Sequence, residues 1–293
     1  EVFNQNLLNK FKKYFRCNFR KMSQSEFSSL VHSYEIVIVR FNKFLPFKKK
    51  HKIRFILSPT TGEDHIDAKF FSDKKVKIFT LKNKPKFLKK IHASSEFTIT
   101  LILMTLRKIK ENLKFKKNAI GNEIARKKIG IIGLGRNGEK IAKILLKFNA
   151  KLSYFDKQKI KSKNSKIKFL SLNNLLATND LIIICIPLNK NNYNFLNKSK
   201  IKLIKQNSLV VNTSRGRVLD EEFIISLAKK KKIFYSSDVL SNEFSNNYDK
   251  RINNLNKFSN ILITNHIGGL TEESILKTDE LIFNNFFKTL GLN

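Results

Sequence analysis

Cysteine is nearly absent from the 293 residues: Cys17 and Cys185 are the only two, and they lie far apart. Two such thiols build neither a disulfide framework nor a metal cluster, so no metal is expected and a reducing, cytoplasmic setting is. Long apolar runs are missing as well. The longest, Ile99 to Leu106, carries threonines and falls far short of the roughly 20 residues that span a bilayer. No charged-then-apolar segment opens the chain, so a soluble protein without a membrane partner is expected. The chain starts on Glu1 rather than methionine, and further residues ahead of it are expected. Acidic residues are also scarce, 23 against 58 lysines and arginines, for a formal net charge of +35.

Such an excess suits a nucleic-acid or anionic-surface partner, because lysines neutralise phosphates and release counterions. No helix-turn-helix, zinc-finger or RNA-binding signature accompanies it, however. The lysines are dispersed, with short runs at Lys48 to Lys50 and Lys229 to Lys232, among abundant Asn, Ile and Phe. All of these have A/T-rich codons, so genomic drift accounts for the charge better than a specific nucleic-acid partner does. A small anionic substrate carrying carboxylate or phosphate would still gain from the positive field.

Length and a 41% hydrophobic content point to two globular domains. In the first third, "YFRCNF" (14–19) and "EIVIVRF" (35–41) read as strands. Between them "SQSEFSSLVHSY" (23–34) reads as a helix, with Ser23 and Glu26 at capping-box spacing. "IRFILSPTTGEDHID" (53–67) runs from a strand into a polar loop, and residues 94–114 read as one helix. From Lys127 onward strands are expected at 129–133, 151–155, 181–185, 208–212, 233–238 and 261–264, most separated by helical stretches, while "KQKIKSKNSK" (157–166) reads as solvated loop. Strands alternating with helices imply a doubly wound parallel sheet covered on both faces, with ligands beyond the carboxyl ends of its strands. No repeat of solenoid period is visible.

The expected strand at 129–132 feeds "GLGRNG", and an amphipathic stretch follows. Gly133 permits the tight turn, Gly135 lets backbone approach a pyrophosphate, and Gly138 allows close helix–strand packing. Arg136 and Asn137 complete the turn. Asp156, at the end of the next strand and 18 residues after Gly138, stands where the ribose 2′-OH of NAD would be gripped and a 2′-phosphate repelled. NAD is expected rather than NADP. Later strand ends carry "VVNTSRGRVLDEE", "YSSDVLSNEF" and "ITNHIGGLTEES", which place Arg215, then Asp238 with Glu243, and His266 on one sheet edge.

Together with "IGLGRNG", "SPTTGEDHID" and "ASSEFTITLIL", these segments resemble the D-isomer-specific 2-hydroxyacid dehydrogenases, a family containing D-lactate, glyoxylate/hydroxypyruvate and D-3-phosphoglycerate dehydrogenases. The TTG and HID pieces lean toward the phosphoglycerate-like members. The resemblance implies a Rossmann NAD-binding domain over 94–269 and a smaller flavodoxin-like α/β substrate domain over 1–93, completed by 270–293. It implies homodimers, a cleft between the domains, and hydride transfer between NAD(H) and a small D-2-hydroxy acid or 2-oxo acid.

By the same resemblance Arg215 is the catalytic arginine, Glu243 the glutamate and His266 the histidine. An imidazole with an unperturbed pKa near ~6.5 suits proton transfer to and from the carbonyl oxygen, a neighbouring carboxylate orients it, and a guanidinium fork can hold the substrate carboxylate. Asp238 is expected to face the nicotinamide carboxamide, Thr213 and Ser214 to line the coenzyme cleft with Gly268 and Gly269, and Pro187 to flank the adenosine. Thr61 and Gly62 are expected to bring backbone donors to the substrate. The other histidines, His32, His51, His65 and His92, read as surface or packing residues. Four departures from the family pattern stand out: Phe244 in place of proline, Thr60 in place of glycine, Phe97 in place of histidine, and an added acid, Glu63. A catalytically silent dinucleotide-binding regulator on the same fold is the alternative reading, and a basic nucleic-acid-associated protein a further one.

Overall fold

The computed structural model describes residues 2–20, 22–40, 45, 50–115, 118–158, 165–245 and 247–292. The chain divides into two compact units, Glu1–Ile91 with Leu270–Asn293, and His92–Gly269.

The larger unit is built on seven parallel strands: β4 (Lys128–Ile132), β5 (Lys151–Phe155), β6 (Ile167–Phe169), β7 (Leu181–Ile184), β8 (Leu209–Asn212), β9 (Phe234–Ser237) and β10 (Ile261–Ile263). Their spatial order is β10-β9-β8-β7-β4-β5-β6, which reverses between β4 and β7, the place where doubly wound sheets bind ligands. Strand periodicity divides the aliphatic side chains between two faces. Ile182, Ile184 and Val210 pack with Leu175, Ile224 and Ile252 of the helices Leu172–Thr178, Glu221–Lys229 and Tyr248–Leu255. Leu181, Ile183 and Val211 alternate with them and pack on the other face, with Leu101 and Ile141 of the helices Ala93–Leu106 and Arg136–Lys147.

The smaller unit holds a parallel sheet of β1 (Ile36–Ile38), β2 (Phe55–Leu57) and β3 (Lys77–Phe79), in that order. One side of it is aromatic. Phe11, from the helix Gln5–Tyr14, meets Phe283 edge-on at 5.0 Å between ring centroids, and Phe55 meets Phe286 at 5.3 Å, both partners lying on the helix Glu272–Thr289. Asp279 of that long helix is fully buried. It forms an ion pair with Arg40 and accepts from the Asn4 amide at 2.7 Å, while Arg40 also donates to the Pro59 carbonyl at 3.2 Å.

Three sequence expectations are corrected. Residues 14–19 form no strand: Asn4 caps the helix Gln5–Tyr14 at Leu7, that helix buries Leu8 and Phe11, and residues 15–20 pair with no strand. The helix expected over 94–114 is two helices, Ala93–Leu106 and Ile109–Phe115, interrupted where Lys108 takes a positive φ of 50°. Beyond the solvated tract at 157–166 the chain adds β6, an edge strand whose only buried residue is Ile167. Residues 159–164 of that tract lie outside the described residues, as do Phe41, Lys48 and Lys49. The capping box at Ser23 and Glu26 forms with both of its bonds, starting the helix Gln24–Leu30.

Candidate active site at the carboxyl edge of the seven-stranded sheet

β4 runs into Gly133, whose φ of +93° turns the chain sharply; a Cβ there would sit 2.8 Å from Ile186. A Cβ on Gly138 would meet the Gly133 carbonyl at 2.2 Å, so the helix Arg136–Lys147 can start this close to the strand only over glycine. Around Gly135 the space is open: nothing lies within 4 Å of where a Cβ would stand, and no side chain caps the helix that Gly135 begins. An open helix start without a side-chain cap is where backbone donors meet anions, and a pyrophosphate is the anion such a cradle fits. Burial lowers the Arg136 pKa, and burial with the Arg136 charge lowers that of Lys140, against the pull of Glu96. Both cations at this helix start would gain from an anion.

Asp156 braces the turn. One carboxylate oxygen accepts from the Leu134 amide at 3.0 Å and the other from the Gln158 amide at 3.1 Å. A carboxylate has about four acceptor sites, so it retains capacity for a ribose hydroxyl. Pro187 follows β7 across the switch point, and its carbonyl accepts from the Asn192 side chain at 3.0 Å. The residues present therefore fit a dinucleotide.

The candidate catalytic residues follow the neighbouring strands β8, β9 and β10. At the end of β8 the fully buried Asn212 folds the next residues around itself: its Oδ1 accepts from the Ser214 amide at 3.0 Å and hydroxyl at 2.8 Å, and its Nδ2 donates to the Arg215 carbonyl at 3.0 Å. Thr213 shares a 2.7 Å hydroxyl bond with Thr98 on the helix Ala93–Leu106. Gly216 passes so close to Leu240 that a Cβ would lie 2.2 Å from its carbonyl carbon. Arg215 is thereby fixed in extended backbone, half-buried, with NH1 on the Ser214 carbonyl at 2.8 Å.

Asp238, 2% exposed after β9, holds the turn that follows β10. Its side chain accepts from the Thr264 hydroxyl at 2.7 Å and the amides of Ile267 at 2.8 Å and Gly268 at 2.7 Å, and its carbonyl accepts from the His266 amide at 2.9 Å. Burial raises the Asp238 pKa, while the His266 charge and these hydrogen bonds lower it. Four bonds from one residue hold His266 in a left-handed conformation, φ 50°, that a histidine seldom takes. The His266 ring then meets Glu243: Nδ1 lies 2.8 Å from Oε2, with both side chains only 13% exposed. Glu243 reaches His266 even though Phe244 replaces the proline. Phe97 packs against the same turn, 3.1 Å from where a Gly268 Cβ would be, whereas Gly269 faces open space.

Thr61 and Gly62 belong to the smaller unit, in the loop after β2. Thr60, in the glycine position, bonds through its hydroxyl to Ser58 and to the Gly62 carbonyl, both at 2.9 Å. The added acid Glu63 is engaged by Lys82 at 2.6 Å and Thr80 at 2.9 Å, so its charge is compensated by the segment that follows β3. His65 is buried on Ser58 at 2.9 Å and His32 is buried, while His51 is half-buried and His92 exposed.

Sequence reasoning misses Asn212 and Thr98, which position the residues around Arg215, and gives Asp238 no part in shaping the His266 turn. Asn212 had a signal: an Asn two residues before Ser214, at the end of an apolar run, suits a side-chain turn. Among the described residues no helix is long and apolar enough to cross a membrane, and no cluster of His, Cys, Asp and Glu could hold a metal ion.

Residues 99–268 match the family model for the D-isomer specific 2-hydroxyacid dehydrogenase, NAD binding domain. A glyoxylate reductase of Thermofilum pendens is 29% identical over 254 residues, covering 81% of this chain and 72% of the relative. A hydroxypyruvate reductase of Thermotoga maritima is 26% identical over 248 residues, covering 82% and 78%. The crystal structure of a D-lactate dehydrogenase from Aquifex aeolicus, complexed with NAD and lactic acid, shares the fold with a TM-score of 0.76 at 23% identity, over 92% of this chain and 86% of that one. Matched over more than half its length, the chain belongs to the D-isomer-specific 2-hydroxyacid dehydrogenase family, NAD-dependent oxidoreductases that transfer a hydride between 2-hydroxy and 2-oxo acids.

Proposed function

We propose that this protein reduces a short 2-oxo acid of glyoxylate or hydroxypyruvate size, with His266 as proton donor, Glu243 as its partner and Arg215 as the substrate clamp. The 2.8 Å His266–Glu243 contact carries the reading, because it joins two distant segments at the sheet edge that the glycine turn also faces. Bound NADH supplies the hydride. With Nδ1 held by the Glu243 carboxylate at 2.8 Å, the ring is oriented and the exchanged proton sits on Nε2. The Arg215 fork binds the substrate carboxylate and draws electron density from the adjacent carbonyl. Asp238 keeps the histidine turn in place, and Thr213 and Ser214 line the coenzyme side. The relatives named for glyoxylate and hydroxypyruvate favour a short acid over the phosphoglycerate-like one that the TTG and HID pieces suggested.

Mixing the protein with NADH and glyoxylate, hydroxypyruvate, pyruvate or 3-phosphohydroxypyruvate, and following reduced-nicotinamide absorbance, tests the reading. Turnover is expected first with the two short acids and is lost in Arg215→Ala. NADH binding without turnover of any acid would leave the silent-regulator reading standing. We further propose a homodimer in a reducing compartment. Leu113 and Ile120, 77% and 86% exposed on and just after the helix Ile109–Phe115, offer apolar surface to a second copy, and both cysteines are unpaired. Sedimentation at micromolar concentration should give twice the chain mass, and Leu113→Asp should halve it.

A further inference from the structure

Lys157 stands directly after Asp156, the carboxylate placed to read the coenzyme ribose. An ammonium there is a natural counter-ion for the 2′-phosphate of NADP, and its presence cuts against the NAD preference that Asp156 confers. The structure shows where that charge goes. Lys157 Nζ donates to Asn192 Oδ1 at 3.0 Å, lies 3.4 Å from the Asn191 carbonyl, and stands 5.3 Å from the centre of the Phe195 ring.

Asn192 is built to receive it. The residue is only 8% exposed. Its Nδ2 donates to the Pro187 carbonyl at 3.0 Å, which fixes the amide orientation and turns Oδ1 toward the lysine. Its backbone amide is held by the Asn189 side chain and carbonyl, both at 3.0 Å. The loop after β7 and the end of β5 are thus joined through one buried amide, across β4 and its glycine turn.

We propose that Asn192 is a positioning residue for coenzyme selectivity: it binds the Lys157 ammonium to the 189–195 loop and so withholds that charge from a 2′-phosphate. The proposal rests on NAD occupying the glycine turn and goes beyond the role of Asp156. Releasing the lysine should admit NADPH, and because both coenzymes would meet Pro187 alike, loss of the Asn192–Pro187 bond cancels in their ratio.

The test measures dissociation constants for NADH and NADPH by nicotinamide fluorescence, so its outcome does not depend on knowing the acid substrate. Asn192→Ala is expected to raise NADPH affinity relative to NADH by about fivefold, the scale of one partly exposed ion pair. Adding Lys157→Ala should abolish the gain. Asn192→Asp, which converts the tether into an ion pair, should move the ratio the other way, a reversal that a merely structural role would not produce. An unchanged ratio in Asn192→Ala, a gain that survives Lys157→Ala, or the same direction of shift in both Asn192 variants would overturn the proposal. Binding of neither coenzyme to the unaltered protein would instead strike the NAD site itself, and this inference with it.

Discussion

The two units bury their cores with different chemistry. In the larger one, aliphatic side chains on seven parallel strands form a layer on each face, and nearly every strand end delivers a polar group to one edge. In the smaller one, three short strands lean on a cluster of phenylalanines from the helices Gln5–Tyr14 and Glu272–Thr289, at opposite ends of the sequence, with the Arg40–Asp279 pair beside it. The candidate site residues in the first case stand on a frame built from other side chains. In the second, buried charged and aromatic groups are themselves the frame.

That division can be broken by mutation. His266→Ala should lower kcat/KM by about 10²- to 10⁴-fold, the usual contribution of a positioned acid–base, while leaving the melting temperature within a degree or so. A comparable fall in stability would mean that the site and the frame are not separable in the larger unit. Phe286→Ala should do the reverse, removing about 3–5 kcal/mol of stability in urea denaturation, because Phe286 is fully buried among Phe11, Phe55 and Phe79. Its affinity for NADH, measured on protein that remains folded, should stay unchanged.

Acid titration sharpens the comparison. Burial raises the Asp279 pKa to about 6, against the pull of Arg40 and the Asn4 amide. The native state therefore keeps a proton that the unfolded chain, titrating near ~3.9, has already released. The contribution is fully present below about pH 4 and is lost as pH rises through about 6, a change of about 3 kcal/mol at 1.36 kcal/mol per pKa unit. Unfolding free energies of the protein minus those of Asp279→Asn should fall by that amount between pH 4 and pH 7. A flat difference would mean that the Arg40 pair holds the carboxylate near its ordinary value.

The same contrast explains what could be read from the sequence. β4, β7 and β8 are continuous apolar runs because parallel strands are covered on both faces, and such runs are visible without partners. β6 was not, since an edge strand with Lys168 and Phe169 exposed shows neither run nor alternation. Residues 14–19 mix aromatic and polar types that suit strand or helix equally. What decides them is the Asn4 cap and the burial of Phe11 against Phe283 and Phe287, which local pattern cannot reveal. At the candidate site, the ionisable groups after β8, β9 and β10 were legible because strand ends are where doubly wound sheets place ligands. Asn212 and Asn192 were not, because a buried asparagine and a turn asparagine look alike until their partners are in place.

The smallest expected effect separates legibility from energy. The capping box of Ser23 and Glu26 is legible from spacing alone, and both of its bonds form, Glu26 N to Ser23 Oγ at 3.1 Å and Ser23 N to Glu26 Oε2 at 2.7 Å. Both residues are exposed or nearly so, and the helix Gln24–Leu30 has no fully buried residue. Ser23→Ala should therefore cost only about 1 kcal/mol and Ser23→Gly a few tenths, since glycine still accepts the non-helical cap conformation. Urea denaturation of the two variants beside Phe286→Ala would rank the terms. If the cap proved as costly as the buried phenylalanine, local signals would govern the smaller unit after all, and the aromatic cluster would be filling rather than frame.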